Sequence, residues 1–161
     1  MTPDRVRELL EYDPPTGVFR WKIAPSRRVA VGQVAGSRTS DGYLRIGVDN
    51  RDYLLHRLAW LWMTGQWPNG EVDHRNGVRC DNRWHNLRDV TPVVNQQNRR
   101  ACHSGNRCGL LGASWDEARQ KFVAQISINK TRRWLGYHGS AESAHQAYLA
   151  AKRAHHEGNT L

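Results

Sequence analysis

Hydrophobic positions along the chain fall into short runs whose period switches between helical and extended. Val6, Leu9 and Leu10 lie on one face of a short N-terminal helix, with Thr2 as its cap and Pro3 at its first position. DPPTG at 13–17 is a turn, and VFRW at 18–21 alternates as a strand. Residues 22–40, rich in Gly, Ser and Arg, read as loop with short strand pieces. After Asp41-Gly42, YLRIGV alternates again, and DNRD at 49–52 forms a tight turn. Leu55, Leu58, Ala59 and Trp62 then fall at i, i+3, i+4 and i+7, which predicts an amphipathic helix ending near Gly65.

From Glu71 the pattern shortens to a strand (EVDH), a polar loop, a strand (LRDV) and a helix over roughly 92–100. Thr91 caps that helix, Pro92 takes its first position, and it carries Asn95 and Asn98. RRACHSGNRCG at 99–109 has little periodicity and reads as a linker. Beyond it, GASW, KFVAQISI and RRWLGY predict three strands, the last two joined by a tight turn at Asn129-Lys130. Ser140 caps a final helix with Glu142 in its first turn and a small apolar face of Ala144, Ala147, Tyr148 and Ala151.

Charge changes this picture more than composition does. Lys and Arg number 24 against 15 Asp and Glu, a net charge of +9, which suggests a polyanionic partner. The excess is uneven: between Pro92 and Leu135 stand eight basic residues and two acidic ones, Asp116 and Glu117. A mean hydropathy of −0.76 and the absence of any run of about 18 apolar residues point away from a membrane. MTPDRVRELLEYD carries charges where a signal peptide has its apolar stretch, and three cysteines are too few for a disulfide framework. A reducing, cytoplasmic setting is expected.

VDHRNGVRCDNRWHNL, at 72–87, concentrates the candidate chemistry. One reading is structural zinc, with Cys102, His103, Cys108 and a remote ligand closing a site. Zinc favours Cys and His pairs two to four residues apart, and neither C-x2-C nor H-x3-5-H occurs here. The other reading is catalysis. Asp73 and His74 stand together at a strand end, where neighbours need not face opposite ways. A carboxylate, a neutral imidazole and an amide oxygen from the following helix suit one hard divalent ion and one attacking water. Histidine fits the base role because its ordinary pKa lies near neutrality.

The stretch HRLAWLWMTGQWPNGEVDHRNGVRCDNRWHNLRDVTPVVNQQNRR, 56–100, with GVFRW and DGYLRI upstream, resembles the HNH endonucleases of the phage and intron homing type. The resemblance implies a ββα-metal core, a β-hairpin and helix around one divalent ion, Mg2+ or Mn2+. It implies His74 as the general base, Asp73 and Asn95 as metal ligands, and Asn86 as a brace for the loop carrying the histidine. DH, the NL pair at 86–87 and Asn95 keep register across 23 residues. His56 and Arg57 match an HR at a helix start, serving either helix bracing or phosphate contact. Arg75 and Arg79 either touch phosphate or are solvated. His85 is expected at the surface, and Trp60, Trp62, Trp67 and Trp84 in packing.

Residues 109–157 resemble the plant ethylene-response-factor (Apetala) type of DNA-binding domain, which implies a three-stranded sheet entering the major groove with the helix behind it. That groove, about 12 Å wide, admits a β-ribbon. Alternation places Arg119, Lys121, Gln125, Ser127, Arg132 and Trp134 on the outward face, opposite Phe122, Ala124, Ile126 and Ile128. The sequence departs from that family upstream, where LLGAS replaces an arginine-containing turn.

Together these readings predict an α+β chain with an N-terminal β-rich region and HNH nuclease over 1–100 (core about 53–100). A linker over 101–108 and a DNA-binding domain over 109–161 complete it. The expected function is a site-specific nicking or homing-type DNA endonuclease, monomer or weak dimer, in the host cytoplasm if phage-encoded. The alternative is a DNA-binding regulator that has kept a non-cleaving nuclease fold.

Overall fold

The computed structural model describes residues 1–103 and 105–160, which separate by their contacts into two compact units, 1–92 and 93–161. In the first unit, helix α1 (Pro3–Leu9) is capped by the Thr2 hydroxyl, which accepts from Arg5 N. It stops at Leu10, whose extended backbone starts strand β1 (Leu10–Asp13), antiparallel to β2 (Val18–Trp21). The hydrophobic stripe had assigned Leu10 to the helix. Its side chain is buried in either geometry, so the stripe alone does not show where the backbone unwinds.

A second antiparallel sheet has the order β3 (Ser37–Arg38), β4 (Leu44–Val48), β5 (Arg51–Leu54). The β4–β5 turn is tighter than DNRD suggested: Asp49 and Asn50 alone take positive φ, and Val48 pairs with Arg51. Arg51 and Asp52 are exposed, so β5 lacks a hydrophobic signature and was missed. It leads directly into α2 (Leu55–Thr64), which ends on left-handed Gly65, whose N–H reaches Leu61 O. Leu55, Leu58, Ala59 and Leu61 of α2 enter a core with Val6, Leu10, Phe19 and Ile46. The hairpin β6 (Glu71–His74) and β7 (Leu87–Val90) completes the unit, contributing Val72 and Leu87 to that core.

In the second unit, α3 (Pro92–Gln97) is shorter than the expected 92–100. Lys152 Nζ donates to Arg99 O at 2.7 Å and Gly158 N to Gln97 Oε1 at 2.9 Å, tying the end of α3 to the C-terminal segment. The sheet order is β8 (Ala113–Asp116), β9 (Lys121–Ile128), β10 (Thr131–His138), all antiparallel. Asn129 and Lys130, at φ 50° and 65°, make the two-residue turn that pairs Ile128 with Thr131. Helix α4 (Ala141–His155), capped by Ser140, covers the inner face through Ala144, against Ala113 and Ala124. Gly112 permits this close packing: a Cβ there would lie 2.1 Å from the Tyr148 ring. Among the described residues no helix is long and apolar enough to cross a membrane.

Candidate active site and nucleic-acid interface

Strand β6 ends on two buried polar residues, Asp73 and His74, both under 8% exposed. A buried carboxylate needs compensation, and the antiparallel register supplies it: Arg88 on β7 stands opposite Asp73. Its Nε and Nη2 donate to Asp73 Oδ2 at 2.8 and 2.7 Å. Arg88 was not anticipated, although pairing EVDH with LRDV in register would have placed it there.

His74 lies against aromatic rings rather than solvent. The His56 ring meets it edge-on at 5.0 Å between centroids, and Tyr43 lies 5.9 Å away. Burial pushes the His74 pKa below its ordinary 6.5, partly opposed by the hydrogen bond to Asn82 and by the charge of Asp73. The same burial, aided by His74 and Arg57, drives His56 to about 3. His56 is therefore a neutral, buried wall of the site. Arg57 turns away, its guanidinium 5.7 Å from the Trp67 ring centre.

The loop between β6 and β7 is polar yet ordered by its own side chains. Asn86, 4% exposed, accepts from Asn76 N through Oδ1 at 3.0 Å and donates from Nδ2 to Asp81 O at 2.8 Å. Its carbonyl accepts from Arg75 N at 2.8 Å, so both sides of the loop close on this residue. Asp81 accepts from Asn76 Nδ2 and from Arg83, and the Arg83 guanidinium holds its pKa at about 2. Arg79 donates to Asp41 O at 2.7 Å and lies 5.1 Å from the Tyr43 ring centre. Arg75 and His85 are exposed. The Trp60 and Trp84 rings pack at 5.0 Å, while Trp62 is half-buried and Trp67 is 37% exposed.

Sequence reasoning missed Asn82, whose Oδ1 lies 3.1 Å from His74 Nε2. Nothing in a polar loop of DNR marks it as buried, yet it is 1% exposed. The N-terminal hairpin holds it there: Tyr12 OH donates to Asn82 O at 2.6 Å, and Trp84 N donates to Pro14 O at 2.9 Å.

Among the described residues no three of His, Cys, Asp and Glu gather as a metal cluster. Cys80, Cys102 and Cys108 are free thiols, and His103 faces the Arg99 guanidinium at 2.9 Å. The donor chemistry at Asp73 fits a hard divalent ion such as Mg2+, which keeps waters and takes one or two carboxylates plus phosphate oxygens. It does not fit a closed zinc site of nitrogen and sulfur ligands. Asn95, the other expected ligand, lies on α3 in the second unit.

In the second unit Lys121, Gln125, Ser127, Arg132 and Trp134 share one sheet face, while Arg119 lies in the β8–β9 turn rather than on a strand. Arg132 pairs with Ser127, Trp134 with Gln125, and Lys121 with Asp116. Ala124 and Ile126 are buried on the other side, and Phe122 and Ile128 are partly buried. The β-bulge between Trp134 and Gly136 adds an aromatic that simple alternation puts inside: Tyr137 comes opposite Val123, on the outward face. The Arg119 guanidinium lies 5.2 Å from the Tyr137 ring centre, and the Trp134 ring meets Tyr137 edge-on at 5.4 Å. Trp134 is 60% exposed, an amphipathic aromatic flanked by cations.

Comparison with known proteins bears on the first of these sites. Among solved structures, one of the HNH homing endonuclease I-HmuI, described for its DNA binding and cleavage, aligns over 92% of this chain and 88% of its own at 22% identity, with a TM-score of 0.43. No curated protein matches the chain. Residues 53–97, which hold β6, β7 and the loop between them, match the family model described as HNH endonuclease. Over residues 53–97 the chain is thus similar to the HNH endonucleases.

Proposed function

We propose that the chain is a divalent-metal-dependent DNA endonuclease of the nicking or homing type, with His74 as general base. The observation that carries this reading is the Asp73–His74 pair, buried together at the end of β6 inside the HNH-matching segment. Burial, which lowers the His74 pKa, favours the neutral imidazole from which a general base starts. His74 takes a proton from water, the oxygen attacks phosphorus in line, and the bond to the 3′-oxygen breaks. The products are 5′-phosphate and 3′-hydroxyl ends. Asp73 would hold the ion, with Asn95 as the second ligand that the resemblance assigns. Bound there, Mg2+ or Mn2+ supplies neutralisation of charge on phosphorus and the leaving oxygen. Asn86 braces the loop through its three hydrogen bonds.

The outward sheet face of the second unit binds double-stranded DNA through Arg119, Lys121, Gln125, Ser127, Arg132 and Trp134, as in the ethylene-response-factor type. Its exposed cations and the chain's net charge of +9 support that role. One site per chain cuts one strand, so a double-strand break takes a dimer or two events. Incubation with supercoiled plasmid tests the activity. Open circles with 5′-phosphate ends are expected with Mg2+ or Mn2+ and none with chelator. Tight DNA binding without cleavage under every divalent ion would leave only the regulator reading.

A further inference from the structure

We propose that Arg79 grips a backbone phosphate of the DNA beside the phosphodiester that is cut, and so seats that strand against His74. The inference rests on His74 marking the cutting site. Arg79 lies in the loop between β6 and β7, and its side chain reaches the tip of the β3–β4 hairpin. There Nη1 donates to Asp41 O at 2.7 Å, and the guanidinium carbon lies 5.1 Å from the Tyr43 ring centre. From that ring the centres of His56 and His74 are 5.1 and 5.9 Å away. One aromatic ring thus neighbours both this cation and the candidate base.

Three observations separate Arg79 from a strut or a merely solvated arginine. First, it is held in place before any ligand arrives. The contact with Tyr43 and the bond to Asp41 O fix the guanidinium, so little side-chain freedom is left to lose on binding. Arg38 closes the same junction a second time, with Nη2 3.6 Å from Cys80 Sγ. Second, both arginines are exposed, and among the described residues neither forms an ion pair with a carboxylate. Arg83 and Arg88, by contrast, are paired with Asp81 and Asp73. The Asp41 carboxylate accepts from Thr39 Oγ1 at 2.6 Å instead. Two guanidinium groups brought to one junction without a paired carboxylate favour an anion there. Third, a guanidinium carries five N–H donors in a planar fork, and Asp41 O occupies one. The rest of the fork matches phosphate oxygens.

The full-length protein, in chelator, is titrated by anisotropy against a fluorescent DNA duplex over a range of NaCl concentrations. Arg79→Gln keeps an N–H for Asp41 O but no charge. It is expected to weaken binding roughly 10-fold and to lower the salt slope of affinity by about 1, with Tm unchanged. Arg79→Lys keeps the charge and the slope but not the fork, so at saturating plasmid with Mg2+ it nicks more slowly than the wild type. Arg45→Met removes the same charge from a guanidinium already paired with Asp52 at 3.0 Å, and leaves the slope as it is. A single neutral methylphosphonate, moved linkage by linkage around the mapped nick, should weaken wild-type binding at one position where Arg79→Gln loses nothing further. An unchanged slope in Arg79→Gln overturns the proposal, as does a loss of slope matched by Arg45→Met. A lowered Tm with an unchanged slope assigns Arg79 to tying the hairpin to the loop and also overturns it. Equal methylphosphonate losses in wild type and Arg79→Gln at every linkage do the same. A wild type that binds DNA but nicks it with no divalent ion overturns the endonuclease reading, and the salt slopes still decide whether Arg79 binds phosphate.

Discussion

Replacing Gly17 by alanine should disturb the loop that carries Asn82 beside His74. Gly17 sits at φ +75° in the β1–β2 turn, and an added Cβ would lie 2.4 Å from both Arg83 N and Asn82 C. These are main-chain atoms, which cannot swing aside as a side-chain tip can. The left-handed backbone alone costs an L-residue about 1–2 kcal/mol. Forcing a methyl into the packed loop adds about 1–3 kcal/mol. Gly32 separates the two contributions, because its φ is +82° and nothing stands within 4 Å of a Cβ there. In urea unfolding, Gly32→Ala should therefore show the first cost only, and Gly17→Ala should exceed it by about 1–3 kcal/mol. The main chain that must yield carries Asn82, so Gly17→Ala should also nick more slowly while still folded. Equal losses in the two variants would refute the seating of this turn on the loop between β6 and β7.

His56 predicts a pH effect on stability. Its pKa is near 3 when folded and about 6.5 when unfolded, so its stabilising contribution is complete above pH 6.5 and is lost as pH falls. The slope reaches about 1.4 kcal/mol per pH unit, and His56→Leu should remove it between pH 6 and 4; unchanged slopes would contradict the burial argument. Lys121→Ala and Arg132→Ala should each weaken binding to duplex DNA at every sequence. Each should lower the salt slope of affinity by about 1 in anisotropy titrations, and an unchanged slope would take the sheet face out of the interface. Asn95→Ala should move the Mg2+ midpoint of nicking upward while leaving metal-free DNA binding intact. A midpoint equal to that of the wild type removes Asn95 from the ligand set.

Some of this site was legible in the sequence because its signals are local. Asp73 and His74 are adjacent, and a four-residue run of EVDH before a polar loop is enough to put them at a strand end. Asn129-Lys130 announces its turn because asparagine tolerates positive φ. What stayed hidden depends on partners distant in the chain. Asn82 is buried because Tyr12, 70 residues earlier, grips its carbonyl. His56 became a wall of the site only once β5 delivered α2 beneath the hairpin. Tyr137 faces outward because of one bulge, and a bulge leaves no mark in a period-two pattern. Arg88 lay in between, deducible from strand pairing but not from residue type.

The central claim is that His74 makes this chain a DNA hydrolase, and single-turnover nicking by His74→Ala tests it most directly. With binding measured alongside on the same plasmid, the account predicts a loss of roughly 10²–10⁴-fold in rate, the usual contribution of a general base, and unchanged affinity. A His74→Ala protein that cuts at the wild-type rate would contradict it.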